Sequence, residues 1–305
     1  VGRDINKNNL NNYCFYAKDK LELKKLIEDS KSLESNLAEK SFQNMRKIFQ
    51  EDCFENRIDQ ICKIIGLTNK ISFDENPPVT LITPTMREDN FENIVKNFER
   101  QDYKNIFLEI VFNGTSQDFS KLKSKYEKLS SSKKNINLKH IPQDETAPAT
   151  FSYGANSNNS GYIMRFEDDD LYGENYINDM LLYRRMDDFD FAAKYFRYIK
   201  EKDSKEVYIG NSSSKKSNYS AYFASEQMVS KKAEGRHLSG ATFVMKNEFF
   251  LQNPFSLKSL EAADSMYLED LKNSSPNARI LRADPYNFVV VRERSSKNHT
   301  WNIKL

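Results

Sequence analysis

Residues Gly161–Tyr172 read GYIMRFEDDDLY, and the order of residue types in that stretch decides how the whole chain is read. Tyr162, Ile163, Met164 and Phe166 are apolar and β-prone, and Gly161 punctuates their start, so the first half predicts a buried strand. Glu167, Asp168, Asp169 and Asp170 follow without a spacer. A sheet strand that ends in acids delivers them to the crevice beyond its carboxyl end, where open α/β sheets bind ligands. Carboxylates this close repel one another unless positive charge lies among them, and hard divalent cations take oxygen ligands of this kind. A solvated acidic turn is the plainer alternative, so the flanking chain has to decide.

Upstream, strands alternate with helices. Val79–Thr83 (VTLIT) predicts a strand that Pro84 breaks, and PTMRED leads into a helix with Phe91, Ile94, Val95 and Phe98 on one face, its first turn open to capping by Asp89. Ile106–Phe112 predicts the next strand, ending at Asn113-Gly114. Phe119, Leu122, Tyr126 and Leu129 form a helical stripe, Ile136–Ile141 a third strand in which His140 reads as a packing residue, and Ala149–Asn158 another helix. This alternation predicts a mostly parallel sheet covered on both faces, with the acids at the end of its fourth strand.

Before Pro78 the chain reads differently. Leu21, Leu23, Leu26, Ile27, Leu33 and Leu37 recur at helical spacing, followed by Phe42, Met45, Ile48 and Phe49, and then by Ile58, Ile61, Ile64 and Ile65, with Gly66 as a helix stop. Thr68–Pro78 is polar, ends in two prolines and reads as a linker. Residues 1–76 are thus expected to be a helical segment and linker, and 77–305 a separate α/β domain.

Composition limits the classes of function. At 38% hydrophobic and 12% aromatic residues the chain can build a core, which argues against wholesale disorder. Its 46 basic and 44 acidic residues leave a net charge of +2, which gives no reason to invoke nucleic acid. No apolar run approaches the ~18 residues of a membrane span. Cys14, Cys53 and Cys62 are odd in number and scattered, which suits a reducing cytoplasm, or the inner face of its membrane, rather than a disulfide framework or zinc site. The start, VGRDINKNNL, has no initiator Met and no signal-peptide core, and is expected to be the cut end of a longer protein.

Three segments in order carry a family resemblance. VTLITPTMREDNFENIVKNFERQDYKNIFLEIVFNG resembles the opening strand, helix and second strand of family 2 glycosyltransferases with the GT-A fold. SYGANSNNSGYIMRFEDDDLYGENYI resembles that family's Ala-Asn helix, Gly-Tyr strand and D-x-D motif, and HLSGATFVMKNEFF its acceptor-side segment. The resemblance spans about Pro77–Leu305 and implies a Rossmann-like mixed sheet flanked by helices. EDCFENRIDQICKIIGL and the helices before it look like the tail that closes the second lobe of a two-Rossmann-lobe (GT-B) glycosyltransferase, which implies a further transferase domain N-terminal to this chain.

The resemblance implies a metal-dependent, inverting glycosyltransferase that moves a sugar from a nucleotide-diphosphate donor, UDP-linked, to a hydroxyl of a glycan or other cell-surface polymer. Thr83, Pro84, Thr85, Arg87, Asn113, Asn156, Asp168, Asp169 and Arg292 would line the donor site. The family has Asp where Asn113 stands; Asn both donates and accepts, so base contact survives with the base less defined. Mg2+ or Mn2+ would bridge the diphosphate and stabilise its growing charge. Asp170 is the first ligand, Asp168 a ribose contact or metal-side partner, and Asp169 either a ligand or a solvent-facing neighbour. In RERSSKNHTWNIKL, His299 beside Trp301 is a ligand on a closing segment or an ordinary surface residue, and one of Arg292 and Arg294 faces the diphosphate. Counting on from Gly240, Asp264 is the general base that takes the acceptor proton, with Glu261 as substitute. Alternatively Asp264 is a carboxylate at the N-terminus of a helix over Ser265–Lys272. Arg236 and His237 line the acceptor pocket or are structural. A sugar nucleotidyltransferase is the alternative enzyme, but it expects a Gly-rich loop after the first strand and TPTMRED has none. A non-catalytic sugar- or partner-binding module is the other alternative, and the acids together with Asp264 and His299 speak against it.

Overall fold

A computed structural model describes residues 17–32, 34–67, 76–130, 135–142, 145–156, 160–195, 198–209, 220–226, 238–256 and 263–292. The chain divides into two compact units, Val1–Phe73 and Asp74–Leu305. The first unit contains α1 (Lys20–Ser32), α2 (Glu34–Lys47), a short π-helix (Ile48–Asp52) and α3 (Phe54–Ile64). Gly66 ends α3 as expected. It adopts a φ of +71°, and the N–H groups of Gly66 and Leu67 return to the carbonyls of Lys63 and Cys62, so the last turn is closed by a left-handed glycine. The periodicity foretold these helices but not their burial. Phe42 is buried, with the Arg46 guanidinium over its ring, whereas Leu21, Ile61 and Ile64 are exposed.

The second unit contains strands β1 (Val79–Thr85), β2 (Ile106–Phe112), β3 (Ile136–His140), β4 (Tyr162–Arg165), β5 (Leu171–Tyr172), β6 (Phe191–Lys194), β7 (Tyr198–Glu201), β8 (Val207–Ile209), β9 (Ser220–Phe223), β10 (Val244–Lys246), β11 (Arg279–Ala283) and β12 (Phe288–Arg292). Its helices are α4 (Phe91–Glu99), α5 (Ser116–Ser130), α6 (Ala147–Ala155), α7 (Tyr176–Leu182), α8 (Asn247–Gln252) and α9 (Ala263–Ser274). One sheet has eight strands in the order β3-β2-β1-β4-β10-β6-β11-β9, and a second has four in the order β5-β12-β7-β8. The first four strands of the large sheet are parallel, while β10 runs antiparallel to both β4 and β6. From β1 the chain winds outward to β2 and β3, then crosses back to β4 on the other side of β1. The carboxyl ends of β1 and β4 therefore flank the topological switch point, the place where such sheets bind ligands. The acids do follow the fourth strand, and that strand lies at the centre of the sheet.

The core explains the tight fit of α6. Ile82, Val111 and Ile163 are fully buried, and a Cβ on Gly154 would sit 2.7 Å from Ile82 Cγ2, so only glycine lets the helix approach this closely. Phe151 on the same helix meets Phe250 and Phe255 edge-on. His140 packs as expected, stacked on Phe119 with ring centroids 4.3 Å apart.

Four local expectations need correction. Pro84 does not break β1: its missing N–H costs no ladder bond towards β4, because that pairing already ends at Ile82, and β1 continues beside β2 to Thr85. Asp89 does not cap α4; it lies in a 3-10 turn, and Asn90 holds the cap position without a side-chain bond. The helix expected over Ala149–Asn158 begins at Ala147, where Thr146 accepts the Ala149 N–H, and closes at Ala155. The end of the expected linker belongs to the domain: Tyr103 Oη donates to Pro77 O at 2.6 Å, and the N–H groups of Gly161 and Tyr162 donate to Pro78 O. The remainder of that linker, 68–75, lies outside the described residues. Among the described residues no helix is long and apolar enough to cross a membrane.

Candidate active site

The acidic loop between β4 and β5 is held from three directions. From β1, Thr85 Oγ1 donates to Asp168 Oδ2 at 2.5 Å. Arg87 grips both oxygens of Asp168, with Nε 3.1 Å from Oδ2 and Nη2 on Oδ1, and the same Nη2 lies 2.9 Å from Asp169 Oδ2. Thr85, Arg87, Asp168 and Asp169 thus form one cluster. Asp168 is buried, and burial pushes its carboxyl up while the Arg87 guanidinium opposes the shift. Burial works against the charge on Arg87, but Asp168 and Asp169 outweigh it and hold its pKa above the ordinary value.

From below, α4 grips the loop backbone. Asn93 Nδ2 donates to Asp168 O and Asp170 O at 2.9 and 3.1 Å. Asn97, itself buried, donates to Asp170 O at 2.8 Å and accepts the Tyr172 N–H at 3.2 Å. Arg100 and Gln101 continue the row, onto Tyr172 O and Gly173 O at 3.0 and 2.9 Å. The sequence reading used only the apolar face of this helix and missed this one. A signal was present: Asn at i and i+4 in a nine-residue helix is a poor helix former placed where only a specific partner repays it. Asn97→Ala leaves the buried Tyr172 N–H unpaired and Asp170 O with Asn93 as its remaining donor, so a loss of about 2 kcal/mol is expected in urea denaturation. A change within error of zero would mean that water replaces the amide.

From above, β12 covers Asp170. The Val291 N–H donates to Asp170 Oδ1 at 2.9 Å. Asp170 is only 3% exposed. Its carboxyl is pushed well up, by burial first and then by Asp169, while the Val291 N–H and the Arg292 charge pull the other way. Arg292, the last residue of β12, therefore acts on the site electrostatically. At the far end of the loop, Tyr172 Oη accepts the Glu167 N–H at 2.8 Å and donates to Ala241 O at 2.6 Å, which ties the loop to the 3-10 turn Gly240–Thr242.

Asn113 sits beside β1, its N–H on Thr85 O at 2.8 Å. Its Nδ2 donates to Glu145 O at 2.7 Å and Thr150 Oγ1 at 3.1 Å. Glu145 O can only accept, and Thr150 Oγ1 already donates to Thr146 O, so the amide orientation is set. Its Oδ1 is buried and has no hydrogen-bond partner among the described residues. Thr83, further back on β1, also carries a buried hydroxyl oxygen without a partner among the described residues; Pro84 is half-buried. Asn156 is not brought to this group. Its N–H caps α6 on Ser152 O, and α6 runs away from Asn113, so six residues of helix, about 9 Å of rise, separate it from Thr150. Thr150 occupies the place beside Asn113 instead.

Asp264 lies in the first turn of α9, but its side chain is outside the described residues, as are Arg236, His237, Glu261, Arg294, His299 and Trp301. Among the described residues no group of three or more His, Cys, Asp or Glu is arranged to hold a metal ion. The donor chemistry nevertheless fits a hard cation that brings its remaining ligands with it. Asp169 and Asp170 offer carboxylate oxygens at the switch point, and among the described residues Asp170 makes no ion pair, with the Arg292 charge acting on it from the end of β12.

No protein-family model matches the chain. Crystal structures of S. aureus TarS 1-349 are similar to it. The protein alone matches at a TM-score of 0.52 and 12% identity, over 70% of this chain and 60% of that one. The complex with UDP-GlcNAc matches at 0.53 and 11% identity, over 72% and 60%, and the complex with UDP at 0.53 and 12%, over 70% and 60%. The chain thus spans about 60% of the TarS 1-349 structures. At such identity the likeness shows the fold alone, a large mixed sheet flanked by helices like that of TarS 1-349.

Proposed function

We propose that this chain is a glycosyltransferase that takes its sugar from a UDP-linked donor and passes it, with inversion, to a hydroxyl of a glycan or other polymer. The observation that carries the reading is the pairing of Asn113 and the acidic loop across β1 at the switch point. Asn113 offers an acceptor with no partner among the described residues, and the N3–H of uracil is a donor; cytosine presents an acceptor at that position and would be repelled. The UDP-GlcNAc and UDP complexes of TarS support the same class of donor.

In this reading Asp170, with Asp169 and His299, would hold Mg2+ or Mn2+. Asp168 stays out of that set because Arg87 and Thr85 hold both its oxygens, and it serves to fix the loop beside the ribose. The ion would spread the negative charge that builds on the leaving diphosphate. Arg292 adds positive charge on the same side. As the acceptor oxygen bonds to the anomeric carbon, the bond from that carbon to the diphosphate oxygen breaks, and Asp264 takes the hydroxyl proton.

Titration calorimetry with UDP and CDP in Mn2+ tests the base assignment. UDP is expected to bind about tenfold or more tightly than CDP, since an unmatched buried polar group costs 1–3 kcal/mol, and Asn113→Leu should erase the preference. Equal affinities for the two nucleotides, or no binding of UDP with either cation, would overturn the proposal.

A further inference from the structure

One of the connections between the two sheets is the four-residue turn Asp284-Pro285-Tyr286-Asn287, from β11 to β12. This short turn is fastened at both ends. At its start, Asp284 is fully buried. Its Oδ2 accepts from Lys194 Nζ at 3.0 Å and from Tyr183 Oη at 2.9 Å, and its Oδ1 accepts the Tyr286 N–H at 2.7 Å. At its end, Asn287 holds a φ of +60°, a left-handed conformation that few residues tolerate. Its Nδ2 reaches Asp179 Oδ2 on α7 at 2.5 Å, and its carbonyl accepts the Gly173 N–H at 2.9 Å. A Cβ on Gly173 would overlap Asn287 Oδ1, so the glycine is what lets this amide pass.

The turn delivers the chain into β12, which is also paired in parallel with β7 from Val289 to Arg292. From Asn287 the strand pairs Phe288 with Tyr172 and Val289 with Leu171, directly beyond Asp170, and two residues later the Val291 N–H meets Asp170 Oδ1. A shift of one residue in that pairing would turn the Val291 N–H away from the carboxylate.

We propose that the Asp284–Asn287 turn is a clamp that positions Asp170 for the donor, with Lys194, Asp179 and Asn287 as positioning residues acting through β12. This rests on the donor-site reading above and adds the residues that aim its central carboxylate. None of the three touches the acidic loop in the described contacts; each acts on the register of the strand that does.

Asn287→Gly is the decisive variant, because glycine accepts the left-handed backbone while the bond to Asp179 is lost. The Val291 amide is followed by NMR, and UDP binding by calorimetry in Mn2+ and in EDTA. The Val291 amide is expected to shift and to exchange about tenfold faster, and UDP affinity in Mn2+ to fall about tenfold while affinity in EDTA holds, as for other groups that orient a ligand. Asn287→Asp combined with Asp179→Asn, which exchanges donor and acceptor, should recover most of the loss. Val291 exchange and Mn2+-dependent affinity both within about twofold of the parent would overturn the clamp. If the parent itself binds no UDP, the transferase reading falls and takes the donor-site role of the clamp with it; unchanged Val291 exchange then also refutes the mechanical link.

Discussion

Asp170→Asn is expected to lower sugar transfer by roughly a thousandfold and, at the same time, to make the protein more stable in metal-free buffer. The first effect follows if Asp170 is the principal oxygen ligand, since several kcal/mol of charge stabilisation are then lost from the leaving diphosphate. The second follows from the cost of the charge. Asp170 is buried, and burial, Asp169 and Glu167 together hold its carboxyl above the ordinary 3.8, against the Val291 N–H and Arg292. The native state therefore binds more protons than the unfolded chain from about 3.8 upward, so stability declines as pH rises through that window. Asn accepts the same Val291 N–H without the charge. Urea denaturation across that window should show the decline in the parent and a flatter profile in the variant, and UDP with Mn2+ should stabilise only the parent. A variant that keeps its activity, or is less stable at neutral pH, would place the functional charge elsewhere in the loop.

Lys194→Met is expected to cost about 3–5 kcal/mol, the usual penalty for stranding one member of a buried ion pair. Lys194 and Asp284 are 0% and 1% exposed, so neither can recruit solvent when the other is removed. The lysine holds more than the carboxylate. Its Nζ also reaches Asp284 O at 3.3 Å and lies over the Tyr176 ring at 5.5 Å, and its backbone N–H donates to Thr242 Oγ1 at 2.8 Å. Burial and the neighbouring Asp284 carboxylate push the Tyr183 hydroxyl well up, so it stays a neutral donor to that carboxylate. Asp284→Asn should cost a similar amount: its amide oxygen still accepts from Tyr183 and Lys194, but its NH2 then faces the Tyr286 N–H and the Lys194 charge is left without a counter-charge. A loss below about 1 kcal/mol for Lys194→Met, measured by urea denaturation, would mean that the carboxylate escapes to water and that the network is not closed.

Periodicity and punctuation alone determined a good part of this protein. The strand at Ile106–Phe112, the buried faces of α4, the glycine stop of α3 and the acids following the fourth strand were all legible, because each depends on neighbours within one or two turns of chain. The large mixed sheet followed from the alternation of those elements and from the family resemblance.

Only the tertiary structure decided which side chains meet. The second sheet was invisible because β5 is two residues long and finds its partner, β12, more than a hundred residues later. The row from Asn93 to Gln101 entered no expectation, because its partners Asp168, Asp170, Tyr172 and Gly173 lie more than seventy residues further along the chain. Asn156 matched a motif in one dimension, yet the direction of α6 carries it away from Asn113. The pairing of Arg87 with Asp168 spans 81 residues and ties up both oxygens of a carboxylate that sequence alone offered to a metal. Local periodicity fixes which face of an element is apolar. Which charge neutralises which is settled by how strands 5 Å apart in the sheet are ordered, and that order is a property of the whole fold.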